Sequence, residues 1–278
     1  MTETISIYES IARNLKDVLV KGVPSACTPS TLDSRYITQP QAGQLVGRDV
    51  YIYTGVGGGQ ARSIPSYDPA NRRICIIPDW DTIPTNNSKF LIFSHWQAED
   101  YENVTNRAMG IVKQKYFSEM IATMAIVATQ YDYPVPSGME YISNIRLVPS
   151  LGSDLAADTD ISRIREFPPR FWHIEGNVGG SRLISFDPRK ISLDGYNGLV
   201  CMIDGQCKPD FVATTVPEDV QEFIIAHATM QLSAQRVGES KEWQAIYYNA
   251  RDMVSGRNDS PGLEAYITRY PQGRKVGA

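Results

Sequence analysis

The chain has 278 residues, 42% hydrophobic and 21% charged, a composition that suits a folded protein with a sizeable core and excludes global disorder. With 27 Lys and Arg against 31 Asp and Glu, its net charge of −4 leaves no basic footprint for a dedicated nucleic-acid reader. Met1–Ser6 has neither the basic nor the apolar part of a leader, and the longest apolar stretch, Met120–Ala128, is too short for a bilayer, so a soluble, non-secreted protein is expected.

Ile7, Ile11, Leu15, Val18 and Leu19 follow a helical stripe that Gly22 and Pro24 stop, predicting an N-terminal helix over 1–22. From Val23 to Pro40 the Pro, Ser and Thr content reads as a loop or arm. A β-rich module over 23–98 is expected to hold strands at Asp49–Thr54, Gln60–Tyr67, Arg72–Ile77 and Lys89–His95. Their turns carry Gly55–Gly59, Asp68–Asn71 and Ile83–Ser88, and such close spacing favours antiparallel hairpins over parallel crossovers.

The segment 99–215 opens with a helix over Asp100–Gln114, with Val104, Ala108, Ile111 and Val112 on one side. Met120–Tyr133 fits both a strand and a helical stripe; its β-branched residues and the Pro134 stop favour a strand. Ile142–Val148 reads as a strand and the acidic Gly152–Ser162 as a mobile loop. Phe171–Ile174, Ser181–Phe186 and Leu199–Ile203 form a second meander, turning at Gly176–Gly180 and Asp194–Gly198. One long helix is then expected over Val216–Met253, with a capping box of Thr215 and Glu218, Pro217 in its first turn and an interruption at Gly238. That helix occupies 216–257, and 258–278 is an extended tail.

Candidate chemistry is sparse. Gly55-Val-Gly-Gly-Gly59 runs into Gln60–Pro65, a strand with a Pro stop, so a hairpin loop with positive φ outweighs a phosphate cradle, which would need a helix there. His95, His173 and His227 stand among apolar or aromatic neighbours, and no two have ligand spacing. Cys27, Cys75, Cys201 and Cys207 form no CxxC and match no common zinc pattern, as expected of reduced, partly buried thiols. The acidic pairs Asp79/Asp81, Glu99/Asp100 and Glu218/Asp219 are the acid–base candidates of a hydrolase. Two of these pairs sit at helix starts, where negative charge suits the dipole, and the third flanks Trp80 in a turn. No catalytic, cofactor or metal residue is therefore assigned. Fifteen tyrosines and four tryptophans suit extended interfaces, or a glycan-binding surface.

Two patterns carry a resemblance. Leu45–Ile64, continuing through Ile76–Pro84 to Ser88–Ile92, looks like a small β-module of tailed-phage virion proteins. Tyr131-Asp-Tyr-Pro-Val-Pro136 with Ile142–Val148, then Phe171–Gly176 with Leu183–Pro188, then the helix opening at Val216–Val220, follow an order similar to that of phage head-to-tail adaptor (connector, neck) proteins. The resemblance covers most of the chain, although such adaptors are typically shorter and lack the first β-module.

It implies an α+β architecture: a helical bundle, made of the N-terminal helix and the long C-terminal helix, with inserted antiparallel β-modules. It further implies a homo-oligomeric, twelve-fold ring in the virion neck, assembled in the host cytoplasm. The ring would touch the portal protein, other neck or tail proteins and, non-specifically, the DNA in its channel, with no membrane and no cofactor. Tyr266, Arg269, Tyr270 and Arg274 are the candidate interface residues, on a tail able to reach a neighbouring subunit. The alternatives are a carbohydrate- or cell-surface-binding virion module and, third, a hydrolase.

Overall fold

The computed structural model describes residues 7–38, 42–148, 165–176, 182–209, 216–257, 260–268 and 274–275. The chain forms two compact units, one of residues 1–112 and 213–267 and the other of 113–212 and 268–278.

The first unit is framed by a seven-stranded sheet. Helix α1 (Ile7–Asn14) leads into β1 (Val18–Gly22), β2 (Ala26–Thr28), β3 (Thr31–Asp33), β4 (Asp49–Thr54), β5 (Ala61–Asp68), β6 (Arg73–Ile77) and β7 (Lys89–Phe93), and α2 (Ala98–Lys115) follows. The sheet order is β1-β7-β4-β5-β6-β3-β2, with every pair antiparallel. Its two border strands, β1 and β2, are separated in sequence only by Val23, Pro24 and Ser25, which span roughly 14 Å at most. The sheet therefore curls until its borders face each other. Ser34 Oγ ties the border by donating to the Val23 carbonyl at 2.6 Å.

Strand alternation accounts for two cores in this unit. Val50, Ile52, Phe90 and Ile92 point into the curl with Leu32, Ile64, Ile74 and Trp80, whereas Tyr51, Leu91 and Phe93 point outward. The outward residues meet Ile11, Ala12 and Leu15 of α1 and Tyr101 and Val104 of α2. Ala228 and Leu232 of α3 (Glu218–Ala234) join the same cluster, with Trp243 and Ile246 of α4 (Lys241–Ser255) against its margin. A fully buried phenylalanine such as Phe90 contributes about 2–3 kcal/mol through removal of apolar area from water. A short helix, α5 (Leu263–Ile267), completes the unit.

The second unit holds β8 (Ser118–Ala125), β9 (Asp132–Pro134), β10 (Met139–Val148), β11 (Arg165–Glu166), β12 (Trp172–Gly176), β13 (Arg182–Phe186) and β14 (Val200–Cys207). One sheet runs β11-β10-β14-β8, and Arg274–Lys275 pairs with Tyr141 and Ile142 of β10. A smaller sheet runs β12-β13-β9. Ile142, Ile145, Leu147, Cys201 and Ile203 pack with Tyr133, Phe167, Trp172, Ile184 and Phe186 in a single core. The Tyr131–Val148 segment joins the two sheets. The Tyr133 hydroxyl accepts the Val127 N–H at 2.9 Å and pins the bend before β9.

The helical bundle with a long C-terminal helix is not what forms. Five short helices accompany large antiparallel sheets among the described residues, and the seven-stranded sheet is the frame of its unit. The helix expected over 216–253 is two helices, because residues 235–240 form turns and Ser240 caps a new helix by accepting the Trp243 N–H at 3.2 Å. The N-terminal helix stops at Asn14, and Val18 and Leu19 belong to a strand; Lys16 takes φ 56° at the break. The arm expected over Val23–Pro40 contains the β2–β3 hairpin, and Met120–Tyr133 divides between β8 and β9.

Glu218 is the first residue of α3, preceded by Pro217 without a side-chain cap; Thr215 lies outside the described residues. Gly152–Ser162 and most of the turn after Gly176 also lie outside them.

Candidate functional site

A buried polar constellation in the first unit centres on Asp17, fully buried in the turn between α1 and β1. Its Oδ1 accepts from Ser94 N–H (3.1 Å), Ser94 Oγ (2.7 Å), His95 N–H (2.6 Å) and His95 Nδ1 (2.9 Å), while Oδ2 accepts from the Tyr101 hydroxyl at 2.7 Å. Burial, then the Asp17 charge, pushes the Tyr101 hydroxyl far above its ordinary range and keeps it a donor. Ser, His and Asp meet here, yet a nucleophile–base relay is not formed. Ser94 Oγ and Asp17 Oδ1 both engage the same ring nitrogen of His95, and the serine donates directly to the carboxylate. The cluster ties the end of β7 to the α1–β1 turn and to α2.

The acidic pairs have similar structural employment. Asp100 reaches back to accept the Gln97 N–H at 2.9 Å, and Asp49 accepts the Ala98 N–H at 2.9 Å, so the two carboxylates cap the start of α2. Arg62 pairs with Asp81 at 2.8 Å and donates Nε–H to the Asp79 carbonyl at 2.9 Å. Glu218 and Asp219 stand in the first turn of α3. His173 Nε2 meets Glu175 at 2.5 Å, and His227 stacks on Phe223. Gly55, Gly57 and Gly59 take φ of 86°, 77° and 92° in the β4–β5 loop, a conformation side chains disfavour. The loop is tied down by Gln60, whose amide donates to Gly57 and Thr82 carbonyls at 3.0 and 2.9 Å.

All four cysteines are free, and burial pushes the Cys201 thiol up to about 12. Among the described residues no three His, Cys, Asp or Glu side chains are grouped to hold a metal ion, and no helix is long and apolar enough to cross a membrane.

A shallow cleft of about 380 Å³ lies in the first unit between β4, β5 and the start of α2. It is lined by Tyr8 and Tyr51, whose ring centroids are 5.2 Å apart, by Ile77 and Pro78, and by Glu99 and Glu102 on one side of α2. Burial, with Tyr51 and Glu102 adding to it, raises the Tyr8 hydroxyl well above the usual tyrosine range. The carboxylate of Asp49, also lining the cleft, already accepts from Ser63 Oγ at 2.8 Å and from Ala98.

The surface is richer. Ile77 and Tyr266 are each 61% exposed, Ile121 60% and Met253 53%. Of the four candidate interface residues, Tyr266 stands exposed on α5 and Arg274 lies in the short strand beside Ile142. They belong to different units, and Arg269 and Tyr270 lie outside the described residues. Ile77, Ile121 and Met253 escaped sequence reading because each sits where a helical or strand pattern assigns an ordinary element position; only tertiary pairing leaves them uncovered.

No protein-family model matches the chain, and no curated protein does. Among solved structures the chain is similar to one described as "Neck of empty GTA particle computed with C6 symmetry", at 11% identity over 64% of this chain and 80% of that one, with a TM-score of 0.22. A second, "Neck of native GTA particle computed with C12 symmetry", matches at 15% identity over 66% and 87%, with a TM-score of 0.23. At such scores neither match carries fold or function over to this chain.

Proposed function

We propose that this chain is a structural virion protein of the neck, a head-to-tail adaptor that forms a ring between portal and tail through which DNA passes. The observation that carries the reading is the set of large apolar side chains standing exposed: Ile77, Ile121, Met253 and Tyr266. Such side chains are available to be covered when subunits assemble. The sequence resemblance to adaptors points the same way. A net charge of −4 also suits a channel that must not hold the phosphate backbone. Head-to-tail contacts repeated around a closed rotation make a ring from one kind of subunit.

The reading is tested by mixing the purified chain with a portal protein of the same phage and imaging the product by electron microscopy. Rings seated on the portal support it. A mixture in which the chain neither forms rings nor co-sediments with portal sinks it.

A further inference from the structure

Among the described residues the second unit ends in an open sheet border. Strand β8 pairs with β14 over eight consecutive positions, Ser118↔Cys207 to Ala125↔Val200, without a bulge, and no described strand lies on its other side. The hydrogen-bond phase locates its unpaired groups. Ile126 donates its N–H to the Leu199 carbonyl at 2.9 Å and accepts from the Gly198 N–H at 2.8 Å. Carrying that alternation back along β8 turns the main chain of Met120, Ala122 and Met124 toward β14, and the main chain of Glu119, Ile121, Thr123 and Ala125 outward.

Natural sheet borders are blunted by charge, proline, bulges or brevity. The other borders here follow that rule. Strand β1 carries Lys21 and a bulge between Val18 and Val20, β2 has three residues, β9 has three and ends at Pro134, and β12 exposes His173 and Glu175. Strand β8, by contrast, is long and straight, and carries Glu119 as its one charge. Its inner stripe, Met120, Ala122 and Met124, lies against the unit's core yet stays only partly buried, as at a core whose last strand is absent.

We infer that β8 takes the β8 strand of a second copy, antiparallel about a two-fold axis at Ala122. Only registers joining residues of equal parity keep the inner stripe on one face. The register centred on Ala122 sets Ile121 opposite Thr123 and Glu119 opposite Ala125, so every outward N–H and C=O of the strand finds a partner and no two carboxylates face each other. On the inner face Met120 meets Met124, and Ala122 meets its own copy. The two sheets become one, and Thr123 of the second copy packs beside Ile121 on the outer face. A two-fold contact closes on itself, so this pairing belongs to the free chain and must open before a polar head-to-tail ring forms; its test does not depend on the ring.

The pairing is read by light scattering of the full chain across a concentration series, together with oxidative crosslinking. Thr123→Pro removes one outward N–H without touching the β14 ladder, and Ile121→Lys installs the missing charge. The parent is expected to contain a concentration-dependent dimer, both variants to shift at least tenfold toward monomer, and their circular dichroism to stay native. Ala122→Cys is expected to give a disulfide dimer within minutes of oxidation, because directly opposed residues without mutual hydrogen bonds have the closest side chains. A parent that stays monomeric, an oligomer that both folded variants leave intact, or an Ala122→Cys variant that crosslinks no faster than the parent with its native cysteines would each overturn the pairing. Should either variant misfold, Ala122→Cys still decides the question.

Discussion

Asp17 shows how one side chain can hold distant segments together. Its donors come from Ser94, His95 and Tyr101, all more than seventy positions downstream, and the carboxylate has no exposure. Asp17→Ala leaves the buried Tyr101 hydroxyl without its acceptor and unties Ser94 and His95, and about 1–3 kcal/mol of stability is expected to disappear in urea unfolding. Tyr101→Phe, which removes one donor and leaves the acceptor otherwise satisfied, should cost about 1–2 kcal/mol. Nothing near residue 17 announces this role: a single aspartate after a helical stripe looks like a solvated turn residue.

Glu9 carries a pH dependence. Burial alone would raise its carboxyl, but hydrogen bonds from Lys21 (2.7 Å) and Arg13 outweigh that, so it is held below its ordinary 4.5. A folded-state value below the unfolded one gives stability that is fully present above about pH 4.5 and is lost as pH falls through the lower folded value. Melting temperatures measured between pH 6 and 3 should fall, and Glu9→Gln should flatten that fall while lowering the value at neutral pH.

At the scale of elements, close approach sets register. A Cβ on Gly205 of β14 would lie 2.3 Å from the Tyr141 carbonyl and 2.6 Å from Met139 Sδ, beside the two irregularities of β10. Gly205→Ala must push β10 away, and about 2–3 kcal/mol of destabilisation is expected in chemical denaturation. A variant as stable as the parent would show that β10 gives way freely. The strands from β4 to β7 were legible because each is bounded by Gly, Pro or Asn turns and alternates over its own length. The break between α1 and β1 was not. Val18 and Leu19 continue the stripe of Ile7, Ile11 and Leu15, and only pairing with β7 makes them a strand. The two-helix C-terminal arrangement was half legible: Gly238 marked the interruption, but the Ser240 cap that restarts the helix competes with an apparently continuous apolar pattern. The open border of β8 was invisible, since the sequence of a strand does not say how many neighbours it has.

At the scale of the molecule, the curled sheet of the first unit and the core of the second share no buried member. Phe90→Ala and Phe186→Ala, each removing a fully buried ring, should cost about 3–5 kcal/mol apiece. Their effects on total unfolding free energy should add to within about 0.5 kcal/mol, and a double variant that departs further would reveal coupling between the cores.

The placement of β1 and β2 on opposite borders has a consequence for the order in which this protein can be made. Strand β1 has no hydrogen-bonded partner until Phe93 has been synthesised, and α1 must wait for Ala228 and Leu232 to complete its cluster. Its loop-closure cost falls due before the contacts that offset it, so folding of the first unit should be slow for its size. Residues 7–22 thus remain without their native neighbours until most of the unit has been synthesised, and the unit closes last around α1 and β1.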